Sequence, residues 1–189
     1  MIVNYIGFYS LVLGLFSSIL IFVLSIRSYI LKILDKRIFS VSFLQLFFVL
    51  TSFTSLIICF LISDFGNETV FNNSHTNKPI FYKISGTWGN HEGSLLLWLL
   101  VLTLFLFLFI LKSKNELKSY RCLTLVFQQI IIIGFFLFVL ITSNPFNYLF
   151  PVPLEGLGLN PILQDPALAI HPPILYLGYV GSSLIFSAT

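Results

Sequence analysis

The chain has 189 residues, 57% of them hydrophobic and 17% aromatic, with only 9% charged and a net charge of +3. An ordinary soluble domain carries roughly a quarter charged residues, and so little polar surface cannot cover a globule in water; a soluble enzyme, a disordered tail and a secreted disulfide module are excluded. The small, dispersed positive charge excludes a nucleic-acid binder, and Cys59 and Cys122 offer neither a disulfide framework nor zinc-ligand spacing.

The bilayer is the remaining solvent, and a helix that crosses it needs ~20 mostly apolar residues. The composition predicts an all-α, polytopic transmembrane bundle of about five spans. They run over residues 5–26, 41–62, 94–111, 123–141 and 173–189, with outer loops at 63–93 and 142–172. The first span lacks a basic leader and its apolar run is too long for a signal peptide, so it reads as a retained helix. The fifth opens at Pro172-Pro173 and reaches Thr189 with no flanking charge, as expected for a truncation or for one piece of a larger membrane protein. No charge interrupts the first four spans. Gln45, Gln128 and Gln129 are their strongest polar groups, which predicts interhelical hydrogen bonds.

Charge in the loops sets the orientation. Arg27, Lys32, Lys36 and Arg37 follow the first span; Lys112, Lys114, Lys118 and Arg121 follow the third. These are eight of the ten basic residues, and Lys78 and Lys83 are the others. The positive-inside rule puts the two basic loops on the cytoplasmic or matrix face. The N-terminus and both outer loops then face the periplasm or the intermembrane space, together with all three histidines, His75, His91 and His171. Asn67-Glu68-Thr69 and Asn72-Asn73-Ser74 match glycosylation sequons, a pattern common by chance.

The first outer loop ends in Trp88-Gly89-Asn90-His91-Glu92-Gly93-Ser94-Leu95-Leu96-Leu97-Trp98. Glu92 and Ser94 fall at a helix start, where a carboxylate suits the dipole and a hydroxyl can cap free amides. Two readings stand for this stretch. It is an interfacial aromatic belt with a helix cap, or a platform for a flat apolar ligand with His91 and Glu92 as polar contacts. The second outer loop, closing at His171-Pro172-Pro173, holds seven of the eight prolines and no base, so it is shaped rather than floppy. Pro172 pushes His171 away from helical backbone, and Pro172-Pro173 suits the first turn of the next helix. The imidazole is thereby held at the mouth of a span, as a metal or heme ligand or as a capping or headgroup residue. Neither a Ser/His/Asp order, a phosphate loop nor a Cys-x-x-Cys-His motif occurs.

Together these segments resemble the CcmF family, the membrane heme lyase of cytochrome c maturation. The first carries its Trp-Gly-x-His-Glu-Gly-Ser signature. Leu159-Asn160-Pro161-Ile162-Leu163-Gln164-Asp165-Pro166, continuing through His171-Pro172-Pro173-Ile174-Leu175-Tyr176-Leu177-Gly178-Tyr179-Val180-Gly181, resembles the second, and Ser143-Asn144-Pro145-Phe146 the short motif before it. The resemblance implies that heme arrives from the chaperone CcmE on the outer face. It is then attached to the Cys-x-x-Cys-His motif of apocytochrome c with a CcmH-type thiol protein, and His171 is an axial ligand of the heme iron. His91, Trp88 and Trp98 become neighbouring contacts, and Glu92, Asn160, Asp165, Pro172 and Pro173 supporting motif residues. No catalytic residue is assigned.

The family's Trp-rich domain, its second outer histidine and its membrane-embedded heme ligands have no counterpart in these residues. The chain thus reads as the N-terminal part of a split CcmF of the mitochondrial inner membrane, with a bacterial plasma membrane as the alternative. It shares its heme with the remaining fragment and is incomplete as a lyase on its own. The competing reading is a structural subunit of a respiratory assembly that handles no heme.

Overall fold

The computed structural model of the chain describes residues 1–158, 160 and 164–189. Its elements are α1 (Ile2–Leu31), α2 (Arg37–Leu61), α3 (Glu68–Asn73), α4 (Ile80–Gly86), α5 (His91–Lys112), α6 (Lys118–Thr142) and α7 (Pro166–Ala188). A 3₁₀ turn, Ser113–Asn115, follows α5. The five long helices are long and apolar enough to cross a membrane. Their number matches the five predicted spans, and each begins earlier in the chain than predicted. At 1.5 Å per residue, α1 rises about 45 Å, well beyond a hydrocarbon core of ~30 Å. The first outer loop is not irregular throughout, since α3 and α4 lie within it.

α1, α2, α5 and α6 form a ring in which each helix packs against the next, and α7 lies along the outside of α5 and α6. On α1 the buried face carries Gly7, Ser10, Gly14, Ser18, Ser25 and Ser28. Small side chains let helix backbones approach closely where no hydrophobic force drives them together. At Gly7 a Cβ would overlap the Phe146 ring of the second outer loop.

The expected hydrogen bonding of the glutamines is present. In the ring's interior, Ser18 Oγ donates to Gln129 Oε1 at 2.5 Å, and Gln129 Nε2 donates to Gln45 Oε1 at 3.1 Å. All three side chains are fully buried. One polar knot therefore fixes the register of α1, α2 and α6. A second contact ties α7 to α6: Ser187 Oγ donates to Gln128 Oε1 (2.8 Å), and Gln128 Nε2 to Ser183 Oγ (3.2 Å).

The bundle has two unlike ends. At the basic end the loops are short, with Arg37 paired to Asp35 and Arg121 donating to Ser113 Oγ. At the other end the two long loops and the N-terminus close over one another. Asn67 Nδ2 donates to Asn4 Oδ1 (2.6 Å) and to the Pro145 carbonyl (2.8 Å), while Asn4 Nδ2 donates to the Phe146 carbonyl (2.8 Å). The loops also pair through Glu68 N–H on Asn147 and Leu149 N–H on Gly66. Asn67 is fully buried, so its sequon is inaccessible to a glycan.

Candidate functional site

The candidate contacts His91, Glu92, Trp88, Asp165 and His171 lie at or near the loop-rich end. Asn90 begins α5: its side chain accepts from Gly93 N–H at 2.7 Å and donates to the Gly86 carbonyl at 2.7 Å. The cap is thus Asn90 and not Ser94, whose hydroxyl donates to the His91 carbonyl instead (2.9 Å). An Asx cap placed three residues before an amide outcompetes a hydroxyl already inside the first turn. Gly93 is required, because a Cβ would overlap the Thr87 carbonyl. Glu92 lies in the first turn, as the dipole favours. The His91 ring meets Ser143 Oγ through Nε2 at 3.0 Å, which joins the start of α5 to the end of α6.

The start of α7 differs from expectation. Asp165 is the N-cap, accepting from the Ala167 and Leu168 amides at 2.8 and 3.1 Å, and Pro166 occupies the first turn. Pro172 and Pro173 lie inside the helix, and His171 is helical rather than displaced from helical backbone. Proline has no N–H to donate four residues back, so the Leu168 and Ala169 carbonyls lose their helical partners. Trp88 explains how the helix accommodates this. Its Nε1–H donates to the Ala169 carbonyl at 2.8 Å, the acceptor that Pro173 leaves free. The first signature thus completes the backbone of the second. Trp98 does the same by packing, its ring lying 5.2 Å from Phe135, 5.5 Å from Tyr176 and 6.1 Å from Tyr179. Both tryptophans serve the α5–α7 contact rather than an exposed belt.

α7 turns a narrow face to the bundle: Ala169, Val180 and Ser187 are buried on it. His171 stands 200° around the helix from Ala169, at 100° per residue. It is exposed, with Leu175 and Gly178 on the same side. Among the described residues its imidazole has no hydrogen-bond partner, so either nitrogen is available to a ligand. Among the described residues neither the backbone nor a carboxylate engages the ring. His91 and His75 are not beside it. His91 is held by Ser143, and His75 lies 3.9 Å from Glu155. No cluster of three His, Cys, Asp or Glu side chains that could hold a bare metal ion occurs among the described residues. Asn160 is exposed. Leu159 and Pro161 to Leu163 of the second signature lie outside the described residues.

Two groups of this end were not singled out in the sequence. Lys83 is 9% exposed and donates to Ser63 Oγ at 2.8 Å. Lys78 donates to the Asn73 carbonyl at 2.9 Å. Burial, aided by the charge of Lys83, lowers the Lys78 pKa to about 8. Glu155 is held below the usual carboxylate range, first by the Thr76 amide. Nothing in the local sequence marks either lysine, since their burial depends on loops that are distant in the chain.

The cytochrome C assembly protein family matches residues 88–189, a stretch that contains both signatures. Among similar proteins, the cytochrome c-type biogenesis protein CycK of Rhizobium meliloti is 52% identical over 136 residues, 72% of this chain and 20% of that protein. CcmF of Escherichia coli is 42% identical over 137 residues, 72% of this chain and 21% of that protein. The chain therefore spans about a fifth of the length of these curated relatives. A solved structure titled Cytochrome c Heme Lyase CcmF superposes with a TM-score of 0.81 at 26% identity, covering 98% of this chain and 29% of that one.

Proposed function

The chain belongs to the cytochrome c assembly protein family, and we propose that it acts in cytochrome c maturation as one part of the membrane heme lyase. Heme is its substrate. The loop-rich end faces the intermembrane space of a mitochondrion, because eight of the ten basic residues lie at or near the opposite end. A bias toward Phe, Ile and Asn favours an organellar gene. There the chain meets heme delivered by CcmE, with a CcmH-type thiol protein and apocytochrome c as further partners. The remainder of the lyase, including a Trp-rich domain, lies beyond these residues. Each proposed partner follows from the family.

In this reading His171 is an axial ligand of the heme iron. One observation carries it: the Trp88 indole, bonded to the carbonyl that Pro173 frees, fixes the turn of α7 that presents away from the bundle an imidazole with no hydrogen-bond partner among the described residues. The chain's own residues supply orientation. Asp165 sets where α7 starts, Trp88 and Trp98 hold it against α5, and His171 takes the open side. Addition of cysteine thiols to the heme vinyl groups belongs to the substrate and the apocytochrome.

The test is heme retention in the complex purified in mild detergent. His171→Ala is expected to lose most of the Soret absorbance per complex, and His75→Ala to keep it. Equal heme in the His171 variant and the parent overturns the assignment. Co-purification with a respiratory complex in place of the lyase partners would overturn the proposed function as a whole.

A further inference from the structure

Lys83 is a buried charge without a counterion. No carboxylate lies within ion-pairing distance of it among the described residues, and its ammonium makes one hydrogen bond, to Ser63 Oγ. Burying an ammonium is costly unless it is paired. Asp64, next to Ser63 in the chain, is committed elsewhere, taking the Met1 ammonium at 2.6 Å. The other base of this end, Lys78, adds positive charge. Ser63 has left-handed backbone, with φ 54, a conformation costing a non-glycine residue of order 1 kcal/mol. Its hydroxyl oxygen accepts from Lys83, which leaves its own O–H free to donate.

Both side chains line a crevice of about 680 Å³ between the end of α2 and the second outer loop. Ser63, Asp64, Thr76 and Lys83 give it polar lining, and Val152 and Leu154 apolar lining. The Met1 ammonium, paired with Asp64, offsets that carboxylate's charge. One ammonium and one hydroxyl suit a single negative charge with two acceptor oxygens better than a phosphate dianion. The apolar lining suits an apolar body attached to it.

We propose that this crevice is a carboxylate site, in which Lys83 and Ser63 bind the acid group of an amphiphilic ligand. Resting on the heme-handling reading above, that group is a porphyrin propionate. α4 carries Lys83 and leads directly into Trp88, which bonds to α7 two residues before His171.

Iron-free protoporphyrin IX tests the site without involving His171. The 189-residue chain in nanodiscs is titrated by fluorescence with the free acid and with its dimethyl ester, with empty nanodiscs subtracted. The parent is expected to prefer the acid by about tenfold, the strength of a charge-assisted hydrogen bond. Lys83→Met is expected to abolish the preference and Lys83→Arg to keep it. Equal binding of acid and ester by the parent overturns the carboxylate site, as does a preference that survives in Lys83→Met. Hemin, titrated in parallel, separates the two readings. A His171-dependent Soret shift without an acid preference leaves the heme reading standing and removes this site. An acid preference without that shift supports the site, and the axial assignment is then decided by heme retention in the assembled complex.

Discussion

The bond between Trp88 and Ala169 makes a prediction with an internal control. Trp88→Phe keeps the aromatic bulk and deletes the Nε1–H. The Ala169 carbonyl then has no donor, because Pro173 cannot supply one and Ala169 is only 4% exposed. Leaving a buried acceptor unmet costs ~1–3 kcal/mol; at about 2 kcal/mol the unfolding equilibrium shifts roughly 30-fold. Pro173→Ala restores an amide able to close the helical bond to the same carbonyl. In that background the loss of the indole N–H should cost little, so the two substitutions couple by about 2 kcal/mol in a double-mutant cycle. Unfolding in mixed micelles with increasing SDS, followed by circular dichroism, gives all four corners. Additive effects, with coupling below about 0.5 kcal/mol, would refute the idea that the indole replaces the missing proline donor.

Two further predictions concern other parts of the bundle. Gln129→Leu strips partners from both Ser18 and Gln45 and should cost about 2–3 kcal/mol, since unmet polar groups find no water between the helices. Adding Gln45→Leu should recover more than half of that in the same unfolding assay, and failure to recover would show that the knot is not the source of the loss. Lys78 sets a pH dependence. Its folded pKa, about 8, lies below the ordinary lysine value of 10.5, so the unfolded chain binds more protons between these values and stability rises with pH across that window. Below about pH 8 the full cost of the buried charge is present. Lys78→Met should flatten a plot of melting temperature against pH from 8 to 10.5, and an unchanged slope would assign it to another group.

Much of this was visible in the chain. The five spans follow from apolar length, and the segregation of Lys and Arg predicts the two unlike ends. The two signatures suffice for the family because they are long and ordered. What was hidden has physical reasons. Pro172-Pro173 reads as a helix start because proline is tolerated there. It becomes a helix interior only because Asp165 caps earlier and a tryptophan some eighty residues upstream donates to the freed carbonyl. The cap at Asn90 was overlooked because Ser94 stood closer to the apolar run. Register within the ring was illegible, since a helix apolar on every face has no periodicity to point its neighbours out. The burial of Lys83 is a property of the assembled loops.

The Ser18–Gln129–Gln45 knot also has a consequence in time. Gln45 and its partner are 84 residues apart. At 5–20 residues per second, synthesis takes roughly 4–17 s to supply the second after the first. For that interval α2 holds an unmatched carboxamide within the bilayer beside α1. The nascent hairpin is therefore a waiting state, closed only when α6 arrives. Chains halted between α2 and α6 would present that amide to membrane quality control, while chains that pass residue 129 would conceal it.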